Sequence, residues 1–410
     1  MNISNDLLWR GLIKDKTFED PSWLDTPRKF YLGIDASGDS MTIGNLAVIL
    51  LARRLVEAGW QAVMLAGGAT SLVGDPGGKE DERQLKTPDE IAKNVEAVKV
   101  QIEKFFAGQP HEMVNNIDWL GEEKYLDFLR DVGKYYSMTE LLQRDFVTAR
   151  LGQDGSGISY AEFSYSLLQG FDFWWLFKNK GVELQIGASD QWGNMLSGVP
   201  LIRKKESKEV HAFSMPLVID RSTGRKFGKS EAGAICLDPA KTSETQFRQF
   251  WINVTDEEVG DFLKIYTFIT KDEFDKLMAE HATHPEQRLA QNELSKRVTE
   301  IVFGSAASSF SKIQQLLTGE LSLEKLDPEL LADIKKEIPV LKSTGNVVEA
   351  LVSGNLTPSN SEARRLLASG AVYINGVSVD RDNFENSDFK NGFLLLRRGK
   401  AYKDSILITE

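Results

Sequence analysis

The apolar and polar positions of residues 28–35 predict a strand that runs into a glycine-bearing turn. Beyond it, 46–59 carries apolar residues at helical spacing, with Arg53, Arg54 and Glu57 on the other face and Gly59 as the stop. Residues 61–66 form a short apolar run suited to a buried strand. Strand, helix and strand in close succession make a βαβ unit, which requires a parallel sheet and a right-handed crossover. Strand patterns return at 182–186 and 212–219, and helical stretches at 161–177 and 191–204. From 242 to 317 amphipathic helix replaces strand. A charged stretch, 322–343, then leads to a tail with a helix at 361–368 and short strands at 372–374 and 393–396.

Length and charge divide this succession. A chain of 410 residues is too long for one ordinary core and calls for two or three domains. With 41% hydrophobic and 27% charged residues the composition is that of a globular protein, without an apolar run able to span a bilayer. The start lacks the basic-then-apolar pattern of a signal peptide, so a cytoplasmic protein with no membrane segment is expected. One cysteine, Cys236, excludes an internal disulfide and a cysteine-rich zinc site, and is expected as a small buried hydrophobe. The net charge of −11 argues against indiscriminate nucleic-acid binding. From 346 onward eight Lys/Arg balance eight Asp/Glu, so the whole imbalance lies in the first 345 residues and the tail reads as a separate module.

The loop from Tyr31 to Asn45 joins the first strand to the first helix, where an open α/β sheet binds ligands and a helix dipole favours anions. Gly33, Gly38 and Gly44 would admit a ligand close to the backbone, or serve simply as turn residues. Trp9-Arg10-Gly11-Leu12-Ile13 precedes this loop, and Thr42-Ile43-Gly44-Asn45 closes it where class I synthetases carry their HIGH motif. With these strings the chain resembles the tyrosyl-tRNA synthetases. The resemblance implies that ATP and tyrosine form tyrosyl-adenylate and pyrophosphate, and that tyrosyl then passes to the 3′ end of tRNA(Tyr). It implies that Gly33, Asp35, Ser37, Gly44 and Asn45 contact ATP and that Tyr31 faces the substrate phenol.

Thr42 departs from the motif, whose first residue is histidine. The attacking tyrosine carboxylate is already ionised at neutral pH, so activation needs no general base. The histidine would be a donor to the phosphates, and loss of one such donor typically costs about 10²–10³ in rate. Impaired or compensated activation is therefore expected, rather than none.

Further blocks extend the resemblance. After the turn-rich loop 67–79, it assigns Asp75 to the tyrosine ammonium, and Lys79 and Arg83 to the departing pyrophosphate. Tyr165, Gln169 and Asp172, at i, i+4 and i+7, share one helix face. The resemblance gives Tyr165 and Gln169 the amino group, and Asp172 with Tyr31 the phenolic hydroxyl. A buried carboxylate and phenol left without that hydroxyl would reject phenylalanine. Tyrosyl-tRNA synthetase is itself the established illustration, at about 10⁵ without editing. In Gln185-Ile186-Gly187-Ala188-Ser189-Asp190-Gln191-Trp192-Gly193-Asn194, residues Gln185, Gly187, Asp190 and Gln191 would bind tyrosine and ATP, and Trp192 would pack. Lys226-Phe227-Gly228-Lys229-Ser230 resembles the second class I signature. Closing it over the triphosphate would exclude water and strengthen the contacts of Lys226 and Lys229, with Ser230 beside them.

In the tail, Ser361 to Leu367 followed by Gly370 to Gly376 resembles a small RNA-binding fold. Arg364, Arg365, Lys400 and Lys403 would meet phosphate, and Asn375-Gly376 would form a tight hairpin turn.

The expected α/β architecture is a Rossmann-like parallel-sheet catalytic domain over 1–235, with a mobile lysine loop at 224–233. An all-α domain for the anticodon region follows over 236–325, then a linker over 326–344 and a small α+β RNA-binding domain over 345–410. The resemblance also implies a homodimer with one tRNA across both subunits, and Mg2+ accompanying ATP, with no bound metal site. Two other readings share these residues: a paralogue serving a biosynthetic pathway, at which Thr42 hints, and a non-catalytic RNA-binding protein on the same scaffold.

Overall fold

The computed structural model describes the chain except residues 1, 76–85, 152–156, 222–223, 225, 231–232, 305–315, 317–322, 324–330, 333, 336–337 and 400–404. At 145, 146, 149, 229, 230 and 233 it describes the backbone alone. Two compact units result, Met1–Thr242 with Trp251–Leu294 and Ser243–Phe250 with Ser295–Glu410.

The first unit is built on six strands: β1 (Asp15–Lys16), β2 (Lys29–Asp35), β3 (Gln61–Gly67), β4 (His111–Asn115), β5 (Leu184–Ala188) and β6 (His211–Met215). They lie in the order β1-β6-β5-β2-β3-β4, all parallel except the edge strand β1. The chain winds outward through β2, β3 and β4, then returns to lay β5 and β6 on the other side. That reversal opens a crevice at the carboxyl ends of β2 and β5. β3 is buried at every position after Gln61, as in a parallel sheet covered on both faces. β6 stops at Met215, short of the expected 219, because Pro216 has no N–H to continue a ladder. It is followed by a hairpin of two-residue strands, β7 (Lys229–Ser230) and β8 (Gly233–Ala234).

The helix Ile43–Glu57 is buried almost all round, and Arg54, expected on its polar face, is buried too. Its guanidinium donates to the carbonyls of Lys264 (3.1 Å), Ile265 (3.4 Å) and Thr267. Arg10, paired with Asp6 at 2.9 Å, donates to Lys264 (2.9 Å), Thr267 (3.2 Å) and Ile269 (2.7 Å). These carbonyls lie at and just beyond the carboxyl end of the helix Asp256–Tyr266, where intrahelical partners run out. The two arginines thus bind that helix into the first unit, and the domain boundary expected at 236 does not occur there. Cys236, expected as a buried hydrophobe, is only half-buried.

The second unit carries a five-stranded sheet ordered β11 (Val377–Val379), β10 (Val372–Ile374), β12 (Phe393–Arg398), β13 (Ser405–Thr409) and β9 (Val340–Lys342). β9 pairs in parallel with β13, so the segment expected as a linker supplies a strand. Ile334 and Ile338, from the same segment, pack with Leu395 and Leu407. Asn375 and Gly376 turn β10 into β11 with φ of 48° and 85°, the two positive values of a tight hairpin turn.

Candidate active site

A cleft of about 490 Å³ opens at the carboxyl ends of β2 and β5. Tyr31, Gly33 and Asp35 alternate along β2 and so share the face that lines it. Thr42 caps the helix Ile43–Glu57 beside them; its backbone N–H and its hydroxyl both donate to Asn45 Oδ1, at 2.9 and 3.1 Å. No acidic residue occupies that helix's first turn, so its positive end meets the cleft uncompensated. The helix Tyr160–Lys180 brings Tyr165, Gln169 and Asp172 to the opposite wall. Gly170 lets it approach closely: a Cβ there would lie 2.2 Å from the Tyr136 hydroxyl and 2.8 Å from Ser197 Cβ.

At the closed end Asp172 is buried and accepts from Asn116 Nδ2 (3.0 Å) and Trp119 Nε1 (2.7 Å). Burial pushes its pKa up to about 7 against the pull of those two bonds, with the Asp35 charge adding to the rise. Beside it, burial and then the Asp172 charge hold the Tyr31 phenol well above its ordinary range, so it is neutral. Its hydroxyl is buried and has no hydrogen-bond partner among the described residues, and the same is true of Gln185 Oε1. Both residues line the cleft, and each keeps a buried polar atom without a partner among the described residues.

Three further carboxylates line the walls. Asp35 accepts from Tyr165 (2.8 Å) and Thr70 (2.7 Å). Burial, followed by the Asp35 charge, raises the Tyr165 phenol well above its usual value. Asp75 accepts from Gln191 Nε2 (2.7 Å) and Asn194 Nδ2 (3.1 Å). Asp190 pairs with Lys226 Nζ at 2.5 Å. Phe227, next to that lysine, packs on Phe262 and Trp251 with ring centroids 4.2 and 5.6 Å away. Gly228 then passes against the capped helix, where a Cβ would lie 2.3 Å from Ile43 Cγ1. Ile235 closes the segment by donating to Gly228 O and accepting from Ile43 N–H, at 3.0 and 3.1 Å. One end of the cleft thus gathers the buried Tyr31 and Asp172, and the other the Lys226–Asp190 pair and a helix N-terminus.

A family model described as tRNA synthetases class I (W and Y) matches residues 25–315, and one described as Tyrosine--tRNA ligase SYY-like C-terminal domain matches 331–404. A Tyrosine--tRNA ligase of Listeria monocytogenes serotype 4a (strain HCC23) is 39% identical over 415 residues, covering 98% of either chain. The chain belongs to the tyrosine–tRNA ligase family. A Tyrosine--tRNA ligase 2 of Bacillus anthracis is similar to the same degree, 39% over 416 residues and 98% of each chain. Among solved structures, a C-terminally truncated mitochondrial tyrosyl-tRNA synthetase of Aspergillus nidulans superposes with a TM-score of 0.66. It is 30% identical and covers 74% of this chain and 91% of its own. The Archaeoglobus fulgidus tyrosyl-tRNA synthetase, complexed with L-tyrosine, shares the fold at a TM-score of 0.56 and 13% identity, over 74% of this chain and 99% of that one. Members of this class I family use ATP as a substrate. Among the described residues, no cluster of His, Cys, Asp and Glu could hold a metal ion, and no helix is long and apolar enough to cross a membrane.

Against the residues expected for a tyrosine–tRNA ligase, the cleft brings together Tyr31, Gly33, Asp35, Ser37, Thr42, Gly44, Asn45 and Asp75 from the first half of the unit. From the second half it gathers Tyr165, Gln169, Asp172, Gln185, Gly187, Asp190, Gln191 and Lys226. Lys79, Arg83, Lys400 and Lys403 lie outside the described residues, as do the side chains of Lys229 and Ser230 in β7. In the second unit Arg364 and Arg365 are exposed, near Asp382 (3.7 Å) and Glu362 (3.5 Å) respectively. Sequence reasoning missed Thr70, Asn116, Trp119 and Asn194. Asn194 stood inside the quoted block from Gln185 to Asn194 and Thr70 inside the loop 67–79, neither with a role; Asn116 and Trp119 carried no signal in that reading.

Proposed function

We propose that the chain activates L-tyrosine with ATP and transfers tyrosyl to tRNA(Tyr), with the cleft holding tyrosine at its closed end and ATP at its open end. The observation that carries this reading is the unpartnered, buried Tyr31 hydroxyl beside Asp172: a phenolic O–H donates to the carboxylate and accepts from Tyr31. Tyr165, Gln169, Asp75, Gln185 and Gln191 surround the amino-acid backbone. Gly33, Asp35, Ser37, Gly44, Asn45, Gly187 and Asp190 take the nucleotide, with the helix N-terminus at Thr42 towards the phosphates. The tyrosine carboxylate oxygen bonds to the α-phosphorus as the bond to the pyrophosphate oxygen breaks. Lys226 and Lys229, with Ser230, Lys79 and Arg83, neutralise the leaving charge. A ribose hydroxyl of the tRNA then attacks the carbonyl carbon and releases AMP. Mg2+ enters with the triphosphate as part of the co-substrate.

The working enzyme is a cytoplasmic homodimer in this reading. Exposed apolar side chains of the first unit support the dimer: Leu126, Tyr125, Tyr160, Met138 and Leu151 are between 53% and 76% exposed and would be covered by a partner. The second unit, through Arg364, Arg365, Lys400 and Lys403, grips the tRNA backbone. Transfer of labelled tyrosine to tRNA(Tyr) by the purified protein tests the whole reading. Charging with tyrosine, and none with phenylalanine, is expected; an adenylate that never reaches tRNA would favour the biosynthetic paralogue at which Thr42 hints.

A further inference from the structure

Asn116 is fully buried at the end of β4 and lies outside the cleft lining, yet its side chain reaches both halves of the site. Nδ2 donates to Asp172 Oδ2 and to Thr70 Oγ1, each at 3.0 Å, while Oδ1 accepts from the Ala69 N–H at 2.8 Å. Both amide protons are thereby used. Thr70 has one proton, and it goes to Asp35 Oδ1 at 2.7 Å; the other Asp35 oxygen accepts from Tyr165 at 2.8 Å. Ionised carboxylates only accept, so with Asp35 and Asp172 both ionised the direction of every bond is fixed. Flipping the amide would set a carbonyl against Asp172 and an NH2 against the Ala69 N–H. The backbone is fitted to the same chain of bonds. A Cβ on Gly67 would lie 2.3 Å from Asp35 Oδ1 and 2.4 Å from Thr70 Oγ1, and one on Gly68 would lie 2.4 Å from Asn115 Oδ1.

We propose that Asn116 is a positioning residue that ties the two ends of the cleft together. One amide holds the carboxylate that faces the tyrosine hydroxyl and, through Thr70, the carboxylate on the nucleotide side. This rests on the assignment of tyrosine and ATP to those two ends. Trp119 holds Asp172 alone, and Thr70 acts on the Asp35 side, so the three residues should be separable in kinetics.

The test is tyrosine-dependent ATP–pyrophosphate exchange by the full-length protein, with Trp119→Phe, Thr70→Val and Asn116→Asp. Asn116→Asp is isosteric, keeps the acceptor for Ala69 and replaces the double donor with an acceptor; Asn116→Ala is the second variant, and thermal melting reports folding. Loss of a hydrogen bond to a charged group is worth about ten- to hundredfold. Trp119→Phe should lower the tyrosine-to-phenylalanine preference by about that factor and leave KM for ATP in place. Thr70→Val should raise KM for ATP and leave the preference in place. Both Asn116 variants should shift the two readouts together. If they alter only melting temperature or kcat, or move only one readout, the proposal is overturned. Asp172→Asn separates the causes: a collapsed preference there with unaffected Asn116 variants rejects the tie alone, and an unchanged preference rejects the assignment of the closed end and the tie with it.

Discussion

Asp172 sits where burial opposes two hydrogen bonds, and burial wins: its pKa rises to about 7 from an ordinary 3.8. The ionised form is the stronger acceptor for the substrate hydroxyl. KM for tyrosine should therefore rise as pH falls below about 7, and Asp172→Asn should remove that inflection from a pH series. For the fold the sign is opposite. A folded-state value above the unfolded one favours the protonated form, so this contribution to stability is complete below 3.8 and is lost as pH climbs to about 7. Denaturant melts should show the loss in wild type and lack it in Asp172→Asn. Thr42 is a weaker participant, because its hydroxyl proton is already committed to Asn45. Thr42→His should raise the activation rate by at least tenfold, since one such donor is typically worth ~10²–10³. A rate that stays flat in stopped-flow measurements would mean that other groups already supply the missing charge.

At the scale of elements, close approach decides. The helix Tyr160–Lys180 carries three site residues on one face and depends on Gly170 to seat it. Gly170→Ala should cost about 1–3 kcal/mol in thermal or urea unfolding, as overpacking of a fixed backbone does. The elements legible in the sequence were β2, β3 and the helix between them, which bury continuous apolar runs, together with β5, β6, β10, β12 and the helices Tyr160–Lys180 and Asn360–Ala368. β4 was not, because all five of its residues are only half-buried and no apolar run marks it. Missing β4 meant missing Asn116 and Trp119, which follow it. The helix Pro88–Phe105 did carry a signal, the capping box of Thr87 and Glu90, that went unread. Arg54 could not be placed from spacing alone: its partners are carbonyls on a helix more than two hundred residues further along the chain. The cleft-lining residues were named because a family resemblance singled them out, whereas the bonds behind them depend on contacts that only folding creates.

At the scale of the molecule, charge and exposed apolar surface set the predictions. Leu126→Asp with Met138→Asp should convert the proposed dimer to monomers in analytical ultracentrifugation, since each side chain is more than half exposed. Arg364→Glu with Arg365→Glu should weaken tRNA charging far more than adenylate formation, because both stand on a helix of the second unit. On the proposed function, the first unit joins tyrosine to ATP and distinguishes it from phenylalanine. Pyrophosphate exchange measures this directly, at enzyme concentrations that would reveal a rate about 10³-fold below that of an unimpaired site. Exchange with tyrosine and none with phenylalanine is the predicted result. Absence of exchange with tyrosine in both wild type and Thr42→His would contradict the account and leave a protein that binds RNA without activating an amino acid.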